Sequence, residues 1–271
     1  MTALDTPDGL HIDVVGEGPP LVLLHGWAMH GGIFGPLRER LRAQRTLYLV
    51  DLPGHGFSRD STLPLALDPV VDALARALPP APWLGWSLGG LFALHAAATR
   101  PEVATSLAMV CASPRFVHGR DWTHGMAPQV FRDFATGLRS DYRGTLDRFI
   151  ALEAFGSDDA RGELRTLRAE VFARGEPAAR VLADGLGLLE TVDLRKRLAT
   201  LGVPSLWLAG RRDRLVDPRA MHAAAALAPQ ASAATLDHAG HAPFLTHADA
   251  VAERLLAFLD RPHAATATAG V

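Results

Sequence analysis

The chain has 271 residues, which at roughly one domain per 150 residues allows two domains or one large α/β unit. Hydrophobic residues make up 48% and charged residues 21%, a globular balance that excludes disorder along most of the length. With 27 basic against 29 acidic side chains the formal charge is −2, which excludes nucleic-acid binding through bulk positive charge. The single cysteine, Cys111, allows no disulfide framework and lies in an apolar run, where a buried thiol is expected. The N-terminus has no basic region leading into an apolar stretch, and no apolar run approaches the eighteen or so residues of a membrane span. A soluble cytoplasmic protein without membrane association is expected.

Short apolar runs bounded by glycine and proline alternate with helical patterns, the arrangement of a mostly parallel sheet with helices on both faces. His11-Ile-Asp-Val-Val15 alternates and is expected as an edge strand of a hairpin. Strands buried on both faces follow at Leu21–Leu24, Thr46–Val50, Trp83–Trp86, Leu107–Val110 and Ser205–Ala209, with a last strand at Ala233–Leu236. Between about Phe116 and Thr191 the rhythm breaks into helical spacing without a convincing strand. The expected division is therefore an α/β core over 1–115 and 192–260, a helical cap insertion over 116–191 and a frayed tail over 261–271.

Gly85-Trp-Ser87-Leu-Gly89 is a G-x-S-x-G sequence between an expected strand and an expected helix, the context a nucleophile elbow requires. With 25 glycines in the chain, composition alone gives about 0.08 chance occurrences of the pattern. A plain tight turn with a helix-capping serine is the competing reading. Serine is a weak nucleophile at its own pKa and needs a base with a group to orient it. His241 is the expected base among twelve histidines, because it follows the last strand and precedes the closing helix at the carboxyl edge of the sheet. His238 is the nearest decoy. The orienting acid is expected at Asp213, just beyond the strand ending at Ala209; the competitor Asp217 precedes Pro218 and suits a helix N-cap. The backbone N–H groups of Leu88 and Trp27 are the candidate oxyanion donors. Neither an HExxH helix nor a cysteine cluster accompanies the histidines, so no metal and no cofactor is expected.

Together these residues resemble the α/β-hydrolase superfamily from about Pro20 to Leu259. Leu21-Val-Leu-Leu-His-Gly-Trp27, Leu49-Val-Asp-Leu-Pro-Gly-His-Gly56, Trp83-Leu-Gly-Trp-Ser-Leu-Gly-Gly90, Thr191-Val-Asp-Leu-Arg195 and His241-Ala-Pro-Phe244 are similar, more specifically, to the pimeloyl-[acyl-carrier protein] methyl ester esterase family of the biotin pathway. The resemblance implies a serine carboxylesterase that hydrolyses a methyl ester on a pimeloyl chain borne by acyl-carrier protein, releasing methanol. It implies substrate contacts from Trp27, Ser87, Leu88, Phe149, Ile150, Ala151, Leu152, Glu153 and His241, the middle five from the cap. It also implies carrier docking through Arg148, Arg161 and Arg165, with Gly144 standing where a basic residue matches and Arg143 adjacent to it. From spacing alone the docking surface stays open, since Arg120–Arg180 holds ten arginines against ten acidic residues. Arg161, Arg165 and Arg168 nevertheless share one helix face. A monomer is expected. A broad carboxylesterase acting on small free esters, without a carrier, is the alternative function. A non-catalytic receptor would not need all three triad members.

Overall fold

The computed structural model describes residues 2–261; most of the tail expected to fray therefore lies outside the described residues. Eight strands form one sheet in the order β1-β2-β4-β3-β5-β6-β7-β8. They are β1 (Thr2–Asp5), β2 (His11–Val15), β3 (Pro20–Leu24), β4 (Thr46–Val50), β5 (Ala81–Trp86), β6 (Ala104–Val110), β7 (Ser205–Gly210) and β8 (Ala231–Leu236). From β4 to β8 the pairing is parallel, while β1 and β2 run antiparallel. One expectation is corrected here: β2 is not the edge, because Thr2–Asp5 pairs outside it with Thr2 opposite Val14. The four residues of β1 are largely exposed, so their hydrophobic pattern was too short and too weak to announce a strand.

Helices α1 (Gly35–Leu41), α2 (Leu67–Ala77) and α3 (Leu88–Thr99) connect the early strands, and α1 is entered through a proline in its first turn. Every residue of α3 from Leu88 to Ala97 is buried, as expected of a helix that touches β3, β5 and β6 and is covered by α2. After β6 the chain leaves the sheet and forms α4 (Pro128–Ser140), α5 (Tyr142–Ala154), α6 (Ala160–Ala173) and α7 (Ala179–Thr191). Short α8 (Arg195–Leu198) leads back to β7, followed by α9 (Pro218–Ala225), β8, α10 (Pro243–Thr246) and α11 (Ala248–Leu259). Asp141 and Asp159 cap α5 and α6, each accepting from the amide three residues on, at 3.0 and 2.9 Å. α4 packs on α5 and α7, and α5 on α6, so the four helices form a layer of their own.

That layer is fastened to the sheet at one corner. Arg174, at the end of α6, reaches Asp13 of β2 at 2.6 Å and both oxygens of Asp51 after β4 at 3.1 and 3.2 Å. Asp51 in turn accepts from the amides of Gly31 and Phe57. The Ala178 amide donates to the Gly54 carbonyl at 2.9 Å, and His30 bonds the Glu170 carbonyl at 2.7 Å. His25, His30 and His55 are all buried at this corner, and desolvation lowers the pKa of each. His25, sequence-adjacent to the oxyanion loop, spends its ring nitrogens on the Gly26 carbonyl and the Leu52 amide and so packs locally.

Candidate active site

Ser87 occupies the turn between β5 and α3 with φ 53° and ψ −121°, a conformation costly for a residue with a Cβ. Two glycines make the turn possible. A Cβ on Gly85 would run into the Gly89 carbonyl and the Gly90 backbone, and one on Gly89 into the carbonyls of Leu24 and His25. The Ser87 side chain makes no cap to α3, which sets aside the helix-capping alternative. It is aimed elsewhere: the Oγ lies 2.9 Å from His241 Nε2. His241 Nδ1 lies 2.8 Å from Asp213 Oδ2. In the tautomer this pairing fixes, Nδ1–H donates to the carboxylate and Nε2 accepts from the hydroxyl. The other Asp213 oxygen accepts from the amides of Leu215 and Val216 at 2.8 and 3.0 Å, which locks the carboxylate in place.

Three separate loops at the carboxyl ends of β5, β7 and β8 thus deliver one chain of hydrogen bonds. The loop carrying His241 is held by Trp86, whose indole N–H donates to the His241 carbonyl at 2.8 Å, while Phe244 packs edge-on against the Trp86 ring. The competitors are placed differently. Asp217 caps α9 by accepting from the Arg219 amide at 2.8 Å. His238 is exposed and faces Asp158 at 3.3 Å. Cys111, Asp213 and His241 bring donor atoms within 4.8 Å of one another. Burial and the nearby Asp213 carboxylate hold the Cys111 thiol protonated, however, with its S–H turned to the Gly240 carbonyl, so this trio offers no thiolate to a cation.

Leu88 opens α3, where an N–H has no intrahelical acceptor, and the Trp27 amide finds no acceptor among the described residues. The loop bearing Trp27 lies against the elbow: a Cβ on Gly26 would stand 2.9 Å from the Trp86 ring and 3.2 Å from Ser87 Cβ. The Trp27 indole donates to the Leu182 carbonyl of α7 at 2.8 Å. Gly185 on the same helix lies over both residues, since a Cβ there would meet the Trp27 ring at 2.8 Å and the Leu88 side chain at 3.3 Å. The sequence reading missed these α7 contacts; the small pair in Asp184-Gly-Leu-Gly187, mid-helix against propensity, was the available signal.

Phe149 stacks on Trp27 with ring centres 4.4 Å apart and meets Phe134 of α4 at 5.3 Å. Phe149, Ile150 and Glu153 are buried on one side of α5. Leu152 is half-buried and lines, with Val130, Asp133, Phe134 and Arg148, a pocket of about 320 Å³ between α4 and α5. Ala151 is exposed, and the structure does not bring it to the site, because a period of 3.6 cannot turn five consecutive residues inward. Arg148, Arg161 and Arg165 are all exposed. Arg148 pairs with Asp141 at 3.2 Å, whereas Arg161 and Arg165 make no ion pair among the described residues. Arg143, next to Gly144, is engaged with Glu176 at 2.5 Å. No helix among the described residues is long and apolar enough to cross a membrane.

The model of the alpha/beta hydrolase fold family matches residues 19–248. The pimeloyl-[acyl-carrier protein] methyl ester esterase of Xanthomonas campestris pv. campestris (strain B100) is 64% identical over 250 residues, covering 92% of this chain and 98% of its own. The enzyme of the same name from Stenotrophomonas maltophilia (strain K279a) is 62% identical, covering 92% and 96%. Among solved structures, an esterase from Exiguobacterium antarcticum superposes with a TM-score of 0.83 over 96% of this chain and 99% of its own, at 20% identity, a likeness of fold. The chain belongs to the α/β-hydrolase fold family and, within it, to the pimeloyl-[acyl-carrier protein] methyl ester esterases.

Proposed function

We propose that the protein is a serine carboxylesterase that hydrolyses the methyl ester of pimeloyl-[acyl-carrier protein] in biotin biosynthesis, yielding the free carboxylate and methanol. The observation that carries this reading is the strained Ser87 joined to His241 and Asp213 at 2.9 and 2.8 Å, in a chain 64% identical to an enzyme of that name. Ser87 Oγ attacks the ester carbonyl while His241 Nε2 takes its proton. Asp213 holds the ring and stabilises the imidazolium, and the Trp27 and Leu88 amides receive the oxyanion. His241 then protonates departing methanol, and water attacks the acyl-enzyme by the reverse path. The triad and both amide donors come from one chain, so these steps call on no residue of a second subunit.

The layer α4–α7, within the proposed cap 116–191, closes over this centre through Phe149, Leu182 and Gly185. The exposed Arg161 and Arg165, without acidic partners among the described residues, and Arg148 at the pocket rim give that cap a surface suited to an acidic carrier. Hydrolysis of carrier-bound methyl pimelate and of a short free ester, compared in the wild type and in an Arg148→Glu/Arg161→Glu/Arg165→Glu variant, tests the assignment. Charge reversal is expected to raise KM for the carrier-bound ester about tenfold or more, steeply dependent on salt, with little change for the free ester. Equal loss on both substrates refutes the docking surface. Wild-type preference for the free ester favours the broad carboxylesterase instead. Restoration of biotin-independent growth to a cell lacking its own pimeloyl ester hydrolase tests the pathway role.

A further inference from the structure

Two buried acids on the cap face the triad and have no part in the steps above. Glu153, on the same face of α5 as Phe149 one turn earlier, is 0% exposed, and Glu163, in the first turn of α6, is 1% exposed. None of their four carboxyl oxygens has a well-formed hydrogen bond among the described residues, and the Ser157 hydroxyl between the two helices is equally unpartnered. An ionised carboxylate buried without a cation or donors is costly, so such groups are normally paired. Glu153 has neither among the described residues. Glu153 is faced by Glu163 and Asp213, and no cation compensates it. Glu163 is nearest the Ser157 hydroxyl, the His241 ring and the Ala242 amide, which favour its ionised form without offsetting its burial, with Asp213 opposing them and the Cys111 thiol beyond.

The reaction proposed for this site turns a neutral ester into an anion at a triad whose Asp213 and His241 feel these acids, and Ser157, between α5 and α6, lies against Gly240 beside His241. We propose that Glu163, with Glu153 as its buried neighbour, forms a charge filter beside the triad, which accepts an uncharged ester and weakens the binding of carboxylates, the reaction's own product included. The inference rests on the ester-hydrolysis reading and assigns the specificity of that site. Burial pushes the Glu163 carboxyl up to about 7, and burial with Glu163 and Asp213 alongside pushes Glu153 well above its ordinary value. The filter therefore strengthens as pH rises through neutrality, when Glu163 takes up charge.

The test is calorimetric binding of pimelate, as the charged probe, and of dimethyl pimelate, as the neutral one, to the full chain carrying Ser87→Ala, which leaves the ester intact. Between about pH 6 and about pH 8 the ratio of the two Kd values is expected to move at least about fivefold against pimelate, a change that one partly screened charge at close range produces. Adding Glu163→Gln is expected to tighten pimelate at the higher pH by about the same factor and to flatten that ratio, while dimethyl pimelate changes little. Whatever His241 contributes to carboxylate binding is common to both proteins. An unchanged ratio in Glu163→Gln overturns the filter; if that variant fails to fold, a pH-invariant ratio in the Ser87→Ala protein overturns it equally. Failure of the function reading is separate: it appears as no methanol release from methyl pimelate, free or carrier-bound, by the wild type.

Discussion

At the scale of single residues, Ser87 carries strain and function together. Its positive φ persists because Gly85 and Gly89 let β5, α3 and the β3 loop crowd around it, and its hydroxyl is spent on His241 rather than on capping. Ser87→Ala is expected to reduce kcat by at least about a thousandfold with an unchanged melting temperature, since the hydroxyl makes no other contact. Asp213→Asn keeps the Leu215 and Val216 amides in reach but presents the wrong partner to Nδ1, and a loss of about 10⁴ in kcat is expected. Stopped-flow detection of the acyl-enzyme distinguishes the two, because only the asparagine variant still forms it. A serine variant with wild-type turnover would remove the triad from the mechanism.

Among elements, the contact that matters most for the α4–α7 layer is the corner where α6 ends. Arg174, 12% exposed along its side chain, satisfies Asp13 and Asp51, which are 5% and 0% exposed. Those two carboxylates sit on the sheet side, so Arg174 ties the helical layer to β2 and to the loop after β4. Removing one partner of a buried ionic cluster costs about 3–5 kcal/mol, more than the pair itself is worth, because the stranded charges stay buried. Arg174→Ala is therefore expected to lower stability by that order in urea unfolding and to speed proteolysis within 142–191. Arg174→Lys is expected to recover only part, since an ammonium cannot bridge two carboxylates in a fork. Wild-type stability in Arg174→Ala would show that the corner is not a fastening.

Over the whole molecule two buried sets titrate in opposite directions. His25, His30 and His55 are depressed by burial, His55 to about 4, so the unfolded chain takes up their protons first. The stability they contribute is full above about pH 6.5 and is lost as pH falls, that of His55 toward about 4. Glu153 and Glu163 are raised, so their contribution is full below about pH 4.5 and is lost as pH rises, that of Glu163 through about 7. Between those limits the acids offset part of the histidine slope, each group acting with at most about 1.4 kcal/mol per pH unit. Thermal melts from about pH 7 to about pH 4.5 are expected to show a falling melting temperature in the wild type and a steeper fall in Glu163→Gln, where one offsetting group is gone. Parallel curves for the two proteins would contradict this assignment of charge states.

Much of this was legible in the order of residues, for reasons that are local. A strand, a G-x-S-x-G turn and an apolar helix are written consecutively, so the elbow at Ser87 and its flanking glycines were evident before folding, as was Asp217 followed by Pro218 as a cap. His241 and Asp213 were readable because parallel topology sends every strand end to the same rim. What chain order could not carry is side-chain meeting across helices that are distant in sequence. Gly185 over Trp27, Arg174 on Asp13 and Asp51, and the two buried, unpartnered acids of α5 and α6 depend on how the helical layer packs. The five-residue substrate segment failed at Ala151 for the same reason, since the rotation of α5 against its neighbours decides which residues face inward. Local rules determined the chemistry of the site, and long-range packing decided which side chains wall it.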